Sequence, residues 1–130
     1  MNATQKIIAE LRPLDLRSVE FYDVAGRYFR RRLRVIRNCG LFFIFFAFVD
    51  LVLVYVLWGR WLLNIGNFVS CPISAMIGWG PFQVGRCHIL MITTARKAST
   101  EHRLNALRQL ATGTFRGDAV GAFILERFND

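Results

Sequence analysis

A continuous apolar run at residues 39–59, CGLFFIFFAFVDLVLVYVLWG, constrains this chain more than any other feature. At about 1.5 Å per residue, a helix of this length crosses a hydrocarbon core of about 30 Å. Mean hydropathy over residues 41–59 is about +2.4, within the range of membrane spans. A soluble domain of 130 residues would scatter its apolar positions over several faces, whereas here the 54% hydrophobic content is concentrated in one block. The fold class expected is therefore an all-α membrane protein: an amphipathic helix leads into one transmembrane helix, followed by an irregular segment and two short amphipathic helices.

Charge supports that reading. The net charge is +8, fifteen of the seventeen basic residues are Arg, and six of these fall at Arg27, Arg30, Arg31, Arg32, Arg34 and Arg37. A basic block placed directly before a span faces anionic lipid more readily than nucleic acid, and no DNA- or RNA-reading motif accompanies it. These six residues are the candidate lipid head-group ligands, with cardiolipin as the type of lipid. Tyr55, Trp58, Arg60 and Trp61 read as interface anchors at the far end, two kinds of residue that sit at the head-group level. The excess of Arg on the N-terminal side predicts that this end stays in the cytosol, or in the matrix of a mitochondrion.

In chain order, residues 1–37 form a basic amphipathic region. Thr4 is placed to cap a first short helix that Pro13 stops, and Ser18 to cap a second. From there Phe21, Tyr22, Ala25, Tyr28, Phe29, Leu33 and Ile36 recur as one helical stripe, with Arg on most other positions. The expectation is a helix lying on the membrane surface, with a bend at Asn38 and Gly40 before the span at 38–61. Residues 62–95 carry Gly66, Pro72, Gly78, Gly80 and Pro81 and average only about +0.8 in hydropathy over 65–83. They are expected to be a broken, interfacial or protein-packed segment, with a second span the disfavoured alternative and a short strand or helical turn at 88–94. Residues 96–130 form a helical tail. Ser99 or Thr100 caps one helix that Gly113 ends, and Asp118 starts another. Leu104, Leu107 and Leu110 mark one apolar stripe, and Val120, Phe123, Ile124 and Phe128 the other, each expected to need a partner chain or lipid.

The one flaw in the apolar run is Asp50, almost at its midpoint. A carboxyl group at mid-bilayer costs about 3 kcal/mol on insertion scales, so it is normally paired, protonated or turned towards protein. Asp50 shares a helical face with Phe43, Phe46, Ala47 and Val54, and these five residues are the candidate intramembrane docking face. A titrating Asp50 in a proton path is the competing reading. It lacks a second ionisable group between Arg37 and Arg60.

Other chemistry is sparse. The three cysteines Cys39, Cys71 and Cys87 form no C-x-x-C pair, and Cys39 reads as a small packing residue. Cys87–His88 lacks the remainder of a haem-attachment motif, and His88 and His102 fit no zinc spacing. No phosphate loop, nucleophile elbow or metalloprotease helix is present. No catalytic residue, metal site, cofactor or small-molecule substrate is expected. No secretory signal is visible, and the four acidic groups Glu10, Asp15, Glu20 and Asp23 are unlike a transit peptide.

The stretch Val24-Ala25-Gly26-Arg27-Tyr28-Phe29-Arg30-Arg31-Arg32-Leu33, followed closely by the span, resembles the basic segment of the ATP synthase membrane subunit f family. The resemblance covers about 40 residues, and the tail after Trp61 is longer than in that family. It implies a non-catalytic structural or assembly subunit in the mitochondrial inner membrane, with the N-terminus in the matrix. The partners would be other subunits of a large membrane complex. An accessory subunit of a respiratory-chain complex is the alternative. A proton-transport component and a membrane-anchored adaptor remain further alternatives.

Overall fold

The computed structural model describes residues 2–129, with backbone only for Trp61, Leu62 and Leu63. Five helices run in order: α1 (Ala3–Leu11), α2 (Val19–Val56), α3 (Trp61–Arg96), α4 (Thr100–Thr112) and α5 (Ala119–Asn129). There is no strand among the described residues. The chain divides into two compact units, one made of Met1–Arg32 with His88–Asp130 and the other of Leu33–Cys87. The two long helices contribute residues to both.

Unit one is a small helical core. Asn2 caps α1, its side chain accepting from the Gln5 amide at 2.9 Å, and so takes the role expected of Thr4. Ser18 caps α2 as expected, its Oγ accepting from the Phe21 amide at 3.1 Å. Ser99 likewise precedes α4, and Gly113 follows it with its amide bonded to the Gln109 carbonyl. Between these caps, Leu11, Phe21, Phe29, Leu107, Leu110, Val120 and Ile124 are wholly or almost wholly buried. Each contributes about 1.5–3 kcal/mol by leaving water. Phe29 stacks on Phe115 with ring centroids 4.6 Å apart.

That packing overturns two expectations. The aromatic stripe of α2, expected on a membrane surface, has Phe21, Tyr22, Ala25, Tyr28 and Phe29 buried inside unit one. The two C-terminal helices, expected to need a partner chain or lipid, bury Leu107 and Leu110 on α4 and Val120 and Ile124 on α5 within the same unit. Helical periodicity identified each apolar face, but three such faces in one chain satisfy one another.

Unit two is a helical hairpin. Residues 57–60 turn the chain between α2 and α3, with Gly59 at φ +102°, a value that L side chains rarely adopt. No bend occurs at Asn38 and Gly40, because α2 runs unbroken from Val19 to Val56. The broken segment expected at 62–95 is instead the helix α3, which continues through Pro72 and Pro81 and through the possible strand at 88–94. Each proline removes one helical hydrogen bond, at a cost of about 3 kcal/mol in an isolated helix. Close packing against α2 offsets that cost.

Candidate functional site

The seam between α2 and α3 in unit two is built from residues at seven-residue spacing, small in its middle and larger at its ends. On α2 these are Leu33, Gly40, Ala47 and Val54, and on α3 they are Asn64, Cys71, Gly78 and Gly85. A seven-residue step keeps one narrow face turned to a neighbouring helix. The members meet in antiparallel order. A Cβ added to Gly40 would stand 2.6 Å from the Gly78 carbonyl oxygen, and one on Gly78 2.5 Å from the Gly40 carbonyl oxygen. One on Gly85 would fall 2.8 Å from Arg37 Cβ and 2.9 Å from the Leu33 oxygen. Backbones this close accept only glycine, as in tightly packed membrane helix pairs.

Polar side chains fasten the same seam. Ser70 Oγ donates to Asp50 Oδ2 at 2.8 Å, and Cys71 Sγ donates to the Ala47 carbonyl at 3.2 Å. Asn64, 9% exposed, donates through Nδ2 to the carbonyls of Val54 at 3.1 Å and Leu57 at 3.0 Å. The last carbonyls of a helix have no partner within it, so Asn64 supplies a remote cap for α2. Of the expected docking face, Ala47, Asp50 and Val54 thus meet α3 of the same chain, and Phe43 sets its Cβ against Gly78 of α3 while the rest of its side chain stays partly exposed; Phe46 is exposed. The helix that meets Asp50 is internal, and Ser70 lies twenty residues along the chain.

Outside the seam the hairpin is covered by large apolar side chains. On α2 these include Phe42, Phe45, Phe48, Leu51 and Val52, with Phe45 63% exposed. On α3 they include Ile65, Phe68, Ile73, Met76, Ile77 and Trp79. Tyr55 and Trp58 near the turn are 83% and 79% exposed, and Arg60 is also exposed. The side chain of Trp61 lies outside the described residues. A groove of about 440 Å³ opens beside the turn, walled by Val54, Trp58, Asn64 and Phe68.

The six arginines divide between the units. In unit one Arg27, Arg31 and Arg32 are exposed, and Arg32 lies over the Tyr28 ring. Arg30 is half-buried, its Nε donating to the Gly26 carbonyl at 3.3 Å. In unit two Arg34 is exposed and Arg37 half-buried, and the buried Nε of Arg37 has no hydrogen-bond partner among the described residues. Cys39, expected to pack, is exposed, and Cys71 takes the packed position.

In unit one, two tyrosines carry the buried polar contacts. Tyr22 donates to the Ile92 carbonyl at 2.5 Å, and burial raises its pKa. Tyr28 donates to Asp118 Oδ2 at 2.6 Å. Burial first, and then the Asp118 carboxylate, push Tyr28 up to about 12. Asp23 and Arg96 form an exposed ion pair at 2.8 Å.

Sequence reasoning missed the seam. Its signal was present as Gly40 and Ala47 on one helix and Cys71, Gly78 and Gly85 on the other, each seven apart. Among the described residues no three of His, Cys, Asp and Glu gather as metal ligands would. Among the described residues one helix, α2, is long and apolar enough to cross a membrane, with a mean hydropathy of 2.5 over its best window. No family model, curated protein or solved structure matches this chain.

Proposed function

We propose that the chain is a membrane protein in which α2 and α3 of unit two insert as a hairpin, and that its role is structural and not catalytic. The observation that carries this reading is the inverted packing of Leu33–Cys87. Small and polar side chains fill the seam, and large apolar side chains face outward on both helices. Only 17% of the apolar window of α2 is buried, which argues against the core helix of a soluble domain. Water would penalise such a surface by about 25 cal/mol for each exposed apolar Å², and lipid would not. Arg34, Arg37 and Arg86 mark one end of unit two, and Arg60 with Trp58 marks the turn. The helical length between these bands is about 30 Å, the thickness of a hydrocarbon core. In this reading α3, too weakly apolar alone, enters the bilayer against α2, and both ends of the hairpin lie on the Arg-rich side.

Within that reading, the proposed role is a subunit that holds neighbouring chains and anionic lipid such as cardiolipin. Arg34, exposed at the same end of unit two, offers N–H donors suited to a head-group phosphate. The narrower assignment is to the mitochondrial inner membrane, with the N-terminus in the matrix. The ATP synthase membrane region is the first candidate complex and a respiratory complex the second. It is supported by the resemblance of residues 24–33 and by the absence of catalytic motifs from the sequence.

Alkaline carbonate extraction followed by native electrophoresis tests both levels. The expected result is retention in the membrane pellet and co-migration with a large complex. Release into the supernatant would overturn the membrane reading, and a free band alone would overturn the subunit reading. Asp50→Asn separates structure from transport. Reduced assembly with unchanged turnover per complex supports the structural role, whereas full assembly with lost proton flux would defeat it.

A further inference from the structure

Unit one contains a second surface with a different character. The turn between α1 and α2, one face of α4 and the end of α5 enclose a groove of about 620 Å³. Arg17, Arg108 and Arg127 line it, with Glu101 as the one acidic side chain in its lining among the described residues. Leu16, Leu104 and Phe128 provide apolar walls, and Thr100 and Asn105 provide neutral polar groups.

The three cations differ in what occupies them. Arg127 is committed to the fold, donating to the carbonyls of Arg12 and Leu14. The guanidinium groups of Arg17 and Arg108 make no hydrogen bond or ion pair among the described residues. Arg108 stacks over the Phe128 ring, 4.8 Å from its centroid. Stacking holds the guanidinium plane and leaves its N–H edge free to grip a carboxylate with two parallel hydrogen bonds. The fold thus holds cations of like charge together beside an apolar wall and leaves two of them outside any ion pair among the described residues.

We propose that this groove binds an acidic, aliphatic peptide segment of a partner polypeptide. Arg17 and Arg108 would take carboxylates, and Leu104 and Phe128 would take an intervening apolar side chain. Lipid phosphate is the less suitable occupant because it presents acceptors only and would leave Glu101 without a donor. A peptide backbone presents donors as well, which the Glu101 carboxylate accepts. The inference does not depend on the hairpin lying in a bilayer, since every residue in it belongs to unit one.

The test is photo-crosslinking of the full chain in its native cells, with a benzophenone amino acid in place of Asn105. Membrane association is scored separately on the same fractions. The expected result is a polypeptide adduct whose cross-linked segment carries net negative charge. Its yield should fall about tenfold or more in Arg17→Glu with Arg108→Glu, while the melting temperature is unchanged. If that pair lowers the melting temperature, Arg17→Gln with Arg108→Gln replaces it, with the same expected fall. Adducts to phospholipid only, adducts to a segment without acidic residues, no adduct, or a yield indifferent to the arginines would each overturn the proposal.

Discussion

Phe29 and Phe45 lie on the same helix and have opposite surroundings. Phe29 is fully buried against Phe115 in unit one, and Phe45 is 63% exposed in unit two. Unit one follows the rule of soluble domains, with large side chains inside and charges outside. Unit two reverses it, with glycine, alanine and cysteine inside and phenylalanine outside. The difference teaches that α2 does a different job in each unit. Its Arg-rich first part supplies the wall of a core, and its apolar second part supplies a surface that a bilayer would suit.

Equal truncations should expose that reversal most strongly. Phe29→Ala should destabilise unit one by about 3–5 kcal/mol. Phe45→Ala should cost under about 0.5 kcal/mol in detergent, as for other substitutions away from a packed core. Thermal melts of both variants in the same micelle check the pair, and equal losses would break the contrast. Next in size is Gly40→Val, which drives side-chain atoms into the Gly78 backbone. A loss of about 3 kcal/mol is expected from overpacking alone. Ser70→Ala should follow, at about 1–2 kcal/mol, because it leaves Asp50 without its hydroxyl donor. Urea titration in detergent reads that value, and a neutral result would remove Ser70 as the partner that matters.

A pH scan sharpens the contrast from the other side. Folded Tyr28 ionises near 12 against 10.0 for a free phenol. The unfolded chain therefore loses its proton first, and stability contributed by the buried hydroxyl is present below pH 10 and lost as pH rises towards 12. Tyrosinate absorbance should show Tyr22 and Tyr28 titrating late, and Asp118→Asn should bring the Tyr28 step earlier by removing the carboxylate. One substitution should produce a gain. Gly66 has open space around its Cβ position, so Gly66→Ala should stabilise α3 by about 0.5–1 kcal/mol.

Local signals in the sequence were read well where one turn of chain decides the outcome. Ser18, Ser99 and Gly113 act where their chemistry places them. The stripes on α2, α4 and α5 were also legible as faces. Their mutual burial was not, because periodicity reports which side is apolar and not what covers it. The larger failure was α3. Gly78 reads as a breaker in the sequence, whereas Gly78 and Gly85 are points where two backbones touch. Only the joint spacing on both helices distinguishes these uses. Asp50 stood out because its cost is local, but Ser70 could be paired with it only once the hairpin register was known.

The four-residue turn at 57–60 also bears on biosynthesis. With so short a connection, α3 leaves the ribosome directly behind α2. For a hairpin entering a bilayer, the weakly apolar helix with its two prolines would meet lipid with its partner already beside it. Lengthening this turn would separate their arrivals and leave α3 to partition alone, a step its hydropathy does not favour.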